Sequence, residues 1–212
     1  MPTDGRRAGD GDRVMTREDI AWAARSILAE SGVEGVTVRA VARRVGVSAP
    51  AFYRHYDSRE SLLRHIAAEI CRARTEGLAA AAEHGFIAVA KCYRNWAVGS
   101  RHEYVLLFAR GVAEDAARRF ASVLTAPLAR LWRARPFPAP ADAEIGLELR
   151  GQLARHRDWL ADPDLPIGVV LVLLTSWIRV HSLVAMEAAH PAGGGQRFAR
   201  EIADIAACLG AG

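Results

Sequence analysis

Cysteine is scarce in this chain, and its three copies, Cys71, Cys92 and Cys208, lie far apart in the sequence. An odd number of cysteines without a Cys-x-x-Cys pair argues against a disulfide framework and against a zinc ribbon. Free thiols are typical of proteins in a reducing compartment, so the cysteine usage favours the cytoplasm. The histidines also lack metal-ligand spacing, which predicts a protein without a metal site.

Long apolar runs are missing as well. The most apolar stretch, IGVVLVLLTSW at 167–177, is shorter than the roughly 20 residues that a membrane-spanning helix needs. Arg179 and His181 follow it closely, and the N-terminus lacks the apolar segment of a signal peptide. This stretch is therefore expected in a protein core or at a subunit interface.

Enzyme motifs are absent or stand without their partners. HisArgAspTrp at 156–159 resembles a protein-kinase catalytic loop, but no glycine-rich loop or Asp-Phe-Gly accompanies it. No Gly-x-Ser-x-Gly turn occurs. The glycines at 193–195 follow no strand pattern, so they do not form a dinucleotide fingerprint. The chain is therefore predicted to be no enzyme and to use no cofactor.

The most informative pattern that is present lies between Thr37 and Leu63. Thr37 is a favourable N-cap, and apolar residues follow it at the i, i+3, i+4, i+7 spacing of one helix face. Gly46 stands where a helix end favours a residue that tolerates positive φ. Ser48 is placed to cap the next helix, and Pro50 fits that helix's first turn. Two short helices joined by a tight turn form a helix-turn-helix, which indicates DNA binding.

The second helix of this motif is predicted to have a packing face and a DNA-facing side. At about 100° per residue, Ala49, Phe52 and Tyr56 share the face that should pack on the preceding helices. Arg54 points away from this packing face, and Ala51 lies beside Arg54 on the outward side. Arg54 is expected to contact either guanine O6 and N7 or a backbone phosphate, and Ala51 is placed to touch a thymine methyl.

Positive charge is concentrated in the same region. Between residues 36 and 60, five arginines stand against Asp57 and Glu60, in a chain with a formal net charge of +4. Arg39, two residues into the first helix of the motif, is expected to contact phosphate. The Gly- and Asp-rich arm 1–15 has no apolar periodicity and is predicted to be disordered. Its arginines either contact the DNA backbone nonspecifically or have no role.

The whole pattern TVRAVARRVGVSAPAFYRHYDSRESLL resembles the DNA-binding domain of the TetR family of bacterial transcriptional regulators. The resemblance covers roughly residues 16–75. Upstream, the residues that resemble the family's first helix are Ile20, Ala24, Ile27, Leu28, Glu30 and Gly32. Such a match of many residues at fixed spacing is specific.

The resemblance implies further contacts with the DNA backbone. Tyr53 and His55 match positions that hold phosphates, although His55 has the alternative role of capping the helix end. Arg59 matches a basic position that touches phosphate at the start of the next helix, where backbone N–H groups can join it. The predicted DNA-binding residues are Thr37, Arg39, Ser48, Ala49, Pro50, Ala51, Tyr53, Arg54, His55 and Arg59.

The remaining sequence is predicted to be helical, because no period-two strand pattern occurs. A helix should run from 59 to about 82, and the resemblance identifies it as the link between the DNA-binding head and the regulatory body. The other predicted elements are two helices broken near Gly99–Ser100, helices at 114–134, 141–160 and 167–189, a loop at 191–195 and a final amphipathic helix. The helices at 141–160 and 167–189 are expected to form a four-helix bundle with a second copy, with Leu173 and Leu174 at the centre of the contact.

The segment WIRVHSLVAME at 177–187 resembles the W-x-x-x-H-G signature of one C-terminal domain type in this family, with Ser182 in place of the glycine. Helix packing at this position is therefore expected to be looser. The resemblance implies a small-molecule cavity lined by aromatic side chains with polar neighbours. The alternative is that these residues form the core. The candidates are Tyr93, Trp96, His102, Tyr104, Phe108, Arg110, Trp132, Trp177 and His181.

Together these features predict an all-α protein with a disordered arm (1–15), a TetR-type helix-turn-helix DNA-binding domain (16–75) and a helical regulatory and dimerisation domain (76–212). The predicted function is a homodimeric transcriptional repressor that binds a palindromic operator and is released by an unidentified small molecule. It is expected in the cytoplasm, on the nucleoid when bound to DNA, and without a membrane partner. The alternative is a small-molecule sensor or scaffold whose head does not read DNA specifically.

Overall fold

The computed structural model describes residues 15–108, 115–157, 160, 164–190 and 194–210, and the predictions for the arm 1–14 and for Arg110 lie outside them. All regular structure in the described residues is helical, which confirms the all-α prediction. The helices are α1 (Arg17–Gly35), α2 (Val38–Val45), α3 (Ala49–Tyr53), α4 (Arg59–Ala82), α5 (Phe86–Gly99), α6 (Arg101–Phe108), α7 (Ala116–Ala134), α8 (Leu147–Arg157), α9 (Ile167–Ala189) and α10 (Gly194–Leu209). The chain divides into two compact units, 1–66 and 67–212.

In the first unit, α1 begins at a reciprocal cap. The Thr16 hydroxyl accepts a hydrogen bond from Asp19 N at 3.2 Å, and the Asp19 carboxylate accepts one from Thr16 N at 2.9 Å. This capping box satisfies N–H groups that the start of a helix leaves without partners. Ile20 and Leu28 are buried on the inner face of α1, and α2 packs against this helix.

The turn between α2 and α3 has the predicted geometry. The Thr37 hydroxyl accepts a hydrogen bond from Ala40 N at 3.1 Å and so caps α2. Gly46 ends α2 in the left-handed conformation, with φ 81°. The N–H groups of Gly46 and Val47 both donate to Ala42 O at 2.9 Å, which closes the turn.

In the second unit, α9 packs against α5, α7, α8 and α10. Leu173 is fully buried and Leu174 is 7% exposed. The prediction that these two leucines lie at the centre of a dimer face is therefore wrong, because the core of their own unit covers them. Arg94 Nε of α5 donates to Glu187 Oε2 of α9 at 2.8 Å, which satisfies this buried carboxylate.

The predicted bounds of α4 and α9 are confirmed, but the single helix predicted at 141–160 is wrong. A short 3-10 turn, Asp142–Glu144, is separated from α8. Asp142 Oδ1 accepts a hydrogen bond from Gly168 N at 3.2 Å, and an added Cβ on Gly168 would lie 1.8 Å from Pro140 O. These contacts hold the segment before α8 against the start of α9. Gly194 and Gly195 also belong to α10 rather than to the predicted loop.

The length prediction for the apolar stretch is wrong as well. Helix α9 has 23 residues and a mean hydropathy of 1.9 in its most apolar window, so by length and composition it could cross a membrane. The predicted length counted only the run 167–177, whereas α9 continues for ten residues past Arg179 to its predicted end at Ala189. In the same window 56% of the residues are buried inside the protein, as in the core helix of a globular domain.

Candidate DNA interface and aromatic cluster

The short helix α3 is anchored by two aromatic side chains. Phe52 and Tyr56 are buried, with their ring centroids 5.9 Å apart. The Tyr56 hydroxyl donates to Arg17 O at 3.4 Å, and the Arg17 guanidinium lies 4.6 Å from the centre of the Tyr56 ring. These contacts tie the turn after α3 to the start of α1, and α3 itself packs against α2, so the opposite side of α3 has a defined orientation.

The outward side of α3 consists of Ala49, Pro50, Tyr53 and Arg54, all of which are exposed. Small side chains next to an exposed tyrosine and an exposed arginine allow a helix to approach the major groove closely. Arg54 therefore lies where the sequence predicted it.

Two details of the predicted DNA interface are corrected. Ala51 is only 8% exposed and does not present its methyl group on the surface, whereas Ala49 is exposed and does not pack. Phe52 and Tyr56 are buried as predicted, so the error is confined to the first turn of α3, where Ala51 rather than Ala49 is covered. Ser48 occupies the N-cap position, but its side chain makes no capping hydrogen bond.

The arginines of the motif fall into two groups. Arg39, Arg43 and Arg54 are exposed, and within the described part of the chain no ion pair involves them. Arg44 instead forms a bidentate pair with Glu30 of α1, with distances of 2.9 and 2.7 Å. The positive charge that is available to bind a polyanion is therefore carried by Arg39, Arg43 and Arg54.

Arg59 lies at the start of α4, but its guanidinium is directed to the backbone between α1 and α2. Its Nε donates to Val36 O at 2.5 Å and its Nη2 to Val33 O at 2.7 Å. These carbonyls lie at the end of α1, where a helix leaves acceptors without partners. A phosphate contact by Arg59, as the resemblance implies, would compete with these two bonds. His55 is half-buried at the end of α3.

The second unit contains a cluster of aromatic rings around Tyr93 of α5. The ring centroid of Tyr93 lies between 5.5 and 6.5 Å from six other rings. We call these residues the aromatic cluster: Tyr93, Trp96, Tyr104, Phe108, Phe120, Trp177 and His181. Six of the seven were predicted. Phe120 was missed because only its burial on α7 distinguishes it from other core phenylalanines.

Two further candidates do not join the aromatic cluster in the same way. Trp132 is half-buried near the end of α7 and makes no ring contact with the cluster within the described residues. The prediction that Trp132 lines the same site is therefore not supported by its position. His102 is half-buried in the first turn of α6.

The polar groups of the aromatic cluster are uncharged near neutral pH. The Tyr93 hydroxyl and His181 Nδ1 share a hydrogen bond of 2.7 Å. Burial lowers the pKa of His181 to about 4 and raises the pKa of Tyr104 to about 12. Burial also raises the pKa of Tyr93 well above its usual value. The cluster therefore offers hydroxyl and imidazole groups without net charge.

Part of this chain is similar in sequence to known regulators. The transcriptional regulator Rv1816 of Mycobacterium tuberculosis is 33% identical over 89 residues, which is 38% of this chain and 38% of that protein. The class D tetracycline repressor protein of Escherichia coli is 36% identical over 56 residues, 26% of each chain. The aligned segments thus span well under half of these relatives.

Two solved structures are similar over most of the chain. The regulatory protein SCO4313 has a TM-score of 0.68 and 25% identity, covering 89% of this chain and 94% of its own. FadR from Bacillus subtilis, solved in complex with stearoyl-CoA, has a TM-score of 0.55 and 12% identity over 92% and 96% of the two chains. The second similarity concerns the fold alone.

Family matches cover both parts of the sequence. Residues 20–66 match the tetR family of bacterial regulatory proteins, and residues 86–207 match the tetracyclin repressor-like C-terminal domain. These are families of regulators rather than of enzymes. The narrower Trp-His-Gly assignment stays a prediction. Since the second match alone covers more than half of the 212 residues, this protein belongs to the TetR family of transcriptional regulators.

Proposed function

We propose that the protein is a homodimeric repressor that binds a palindromic operator and is released from it by an uncharged small molecule. The observation that carries the proposal is the exposed side of α3, where Ala49, Pro50, Tyr53 and Arg54 stand on a helix anchored from behind. Two such helices one helical turn of DNA apart, roughly 34–36 Å, read two half-sites. The protein acts in the cytoplasm, on the nucleoid when bound.

Each side chain of the interface has a role in this proposal. Arg54 reads a guanine edge, whereas Tyr53, Arg39 and Arg43 hold phosphates. Pro50 and Ala49 allow close approach of the backbone. The backbone N–H of Thr37 donates to Gly35 O, so Thr37 contributes its hydroxyl group to a phosphate. Ser48 contributes its backbone N–H at the start of α3, and His55 donates a further hydrogen bond to a phosphate. The DNA-binding domain ends near residue 75, within α4.

Selection from random duplex DNA tests this function directly. The purified full-length chain is incubated with a randomised duplex library, and bound sequences are sequenced and then measured by gel shift. A palindromic consensus bound at least 1000-fold more tightly than random duplex, the lower end for specific binders, is the expected result. Binding with no consensus would favour the alternative, a sensor whose head does not read DNA.

The proposed dimer uses an exposed apolar face on α8 and α9. Leu147 is 82% exposed, and Ile178 and Met186 are each 59% exposed. Ser182, where the C-terminal signature has glycine, is exposed on the same helix. A second copy of the chain covers such a face in an isologous four-helix contact. The family relation and the need for two half-sites support a second copy of this chain as the partner that covers the face.

The proposed effector binds at the aromatic cluster. The cluster consists of flat rings, and its polar groups, on Tyr93, Tyr104 and His181, are neutral near pH 7. They favour an apolar, aromatic, uncharged molecule, since a buried charge there would lack a partner. One relative is a tetracycline repressor protein, and one protein of similar fold was solved with stearoyl-CoA; both agree with a small-molecule response. The effector shifts the equilibrium between two forms by its differential affinity for them.

Salt dependence should separate Arg39 from Arg59. For wild-type protein, log K should fall steeply with log salt, as expected for roughly 6–10 neutralised phosphates. Arg39→Ala should weaken binding to all sequences alike and reduce the slope by about one per subunit. Arg59→Ala should lower the melting temperature, because Val36 O loses its arginine donor and Val33 O keeps only the N–H of Val36. The slope should stay nearly unchanged. Fluorescence anisotropy between 50 and 300 mM salt measures both slopes.

Arg200→Ala, on the exposed surface of α10, is the control and should match wild type in slope and affinity. If Arg59→Ala flattened the slope as much as Arg39→Ala does, Arg59 would be a phosphate contact in the complex. A wild-type slope near zero would contradict the electrostatic interface altogether.

Acidification should destabilise the protein through His181. Its folded-state pKa of about 4 lies below the usual 6.5, so between these values the unfolded state binds the additional proton. Stability is therefore lost as the pH falls through this window, by up to about 2 kcal/mol at pH 5. His181→Gln keeps a hydrogen-bond partner for Tyr93 but cannot titrate. Urea unfolding at pH 7 and pH 5 should show a smaller loss for the variant; equal losses would contradict the burial of a neutral His181.

A further inference from the structure

One carboxylate oxygen in the second unit joins three helices. Glu103 Oε2, in the first turn of α6, accepts hydrogen bonds from Arg74 Nε at 3.0 Å and Arg74 Nη2 at 2.6 Å, and from Trp96 Nε1 at 2.9 Å. Arg74 belongs to α4 and Trp96 to α5. The Arg74 guanidinium also lies 5.8 Å from the centre of the Trp96 ring. We call these three residues the Glu103 junction.

Trp96 belongs at the same time to the aromatic cluster. Its ring centroid lies 5.3 Å from that of Phe120 and 5.9 Å from those of Tyr93 and Tyr104. The indole is nearly buried, so it cannot rotate independently of these rings. A molecule that enters the cluster and displaces the indole must therefore lengthen or break the bond between Trp96 Nε1 and Glu103.

Loss of that bond also affects Arg74. The Glu103 carboxylate is mostly buried, with a side-chain exposure of 17%. A charge-assisted hydrogen bond at such a site depends strongly on the orientation of the carboxylate. If Glu103 turns, Arg74 loses the geometry of its two donors on one oxygen. Arg74 lies in the middle of α4, the helix that continues without a break from Arg59 to Ala82.

We propose that the Glu103 junction transmits occupancy of the aromatic cluster to α4, with Glu103 as the positioning residue and Trp96 as the side chain that the effector moves. The inference rests on the proposed function, because it names the route by which an effector at the cluster biases DNA binding. The Glu103 junction differs from an ion pair with a purely structural role in one respect. The junction shares a side chain with the cluster, whereas no aromatic ring among the described residues contacts the Arg179–Glu201 pair, which joins α9 to α10.

Trp96→Phe imitates displacement of the indole, since it removes the N–H and keeps an aromatic ring. Glu103→Gln keeps an acceptor for Trp96 and removes the charge that holds Arg74. Both variants, and the double variant, are compared with wild type in two measurements: hydrogen exchange of the α4 amides without DNA, and the dissociation constant for the selected operator. Glu201→Gln is the control for the loss of an ion pair, since the Arg179–Glu201 pair lies between α9 and α10.

Each single variant should speed exchange around Arg74 and change operator affinity by about fivefold or more, the lower end of typical allosteric couplings. The double variant should differ little from Glu103→Gln, because both changes break one link. The Glu201→Gln control should lower the melting temperature without altering α4 exchange. A Trp96→Phe protein with wild-type exchange and affinity, or strictly additive effects, would overturn the junction. Failure of wild-type protein to bind DNA would refute the proposed function, while the exchange measurement would still decide the junction.

Discussion

Replacing Ile178 with arginine is expected to give a folded monomer that has lost operator binding. The side chain lies on the exposed apolar face of α9, so the new charge meets water in the monomer but would be buried between two copies. A single head retains one half-site, and without its partner the apparent affinity should fall by roughly 100-fold or more. Light scattering coupled to size exclusion gives the mass, circular dichroism the helix content and gel shift the affinity.

Two further variants make this result specific to the face. Ile178→Leu keeps the surface apolar and should remain a dimer with wild-type affinity. Leu173→Arg places the same charge in the core and should unfold the second unit instead of producing a soluble monomer. A wild-type protein that is monomeric at micromolar concentration, or an Ile178→Arg protein that stays dimeric, would contradict the proposed interface.

Arg54→Ala is expected to cause the second-largest loss and to change specificity as well as affinity. A bidentate contact with a base is worth about 1–3 kcal/mol, and the dimer has two of them. The affinity for the operator should therefore fall by about 2–6 kcal/mol, whereas binding to random duplex should change little. Repeating the operator selection with the variant should relax the preference at one base pair in each half-site.

Arg43→Ala is the matched control, since Arg43 is an exposed arginine of the same motif on α2 rather than on α3. It should weaken binding to all sequences and leave the selected consensus unchanged. If Arg54→Ala gave the wild-type consensus too, Arg54 would be a phosphate contact, the second of the two roles that the sequence left open.

Features determined by neighbouring residues followed from the sequence. The cap at Thr37, the left-handed Gly46 and the break between α5 and α6 depend on interactions within four or five residues, so their signals are complete in the local sequence. The bounds of α4 and α9 were predictable for the same reason. The family resemblance of the head also belongs here, because it rests on many residue types at fixed spacing.

Features determined by residues that are distant in the sequence could not be predicted from it. Helical periodicity places Ala49 and Ala51 on different faces of α3, but only the packing of α1 and α2 decides which face is covered. Arg59 gives no signal that its donors meet the carbonyls of Val33 and Val36, which lie more than 20 residues earlier. Phe120 has the sequence context of any core phenylalanine until α7 brings it beside Tyr93.

The sequence by itself therefore determined the helical elements, the helix-turn-helix and the family, because short-range hydrogen bonding and apolar spacing specify them. The tertiary structure decided which apolar face of α9 is core and which is open, since Leu173 and Ile178 are equally hydrophobic and differ only in what covers them. It also decided that Glu103 joins Trp96 to Arg74. The free energy of such a contact depends on burial and on donor geometry, and the local sequence contains neither.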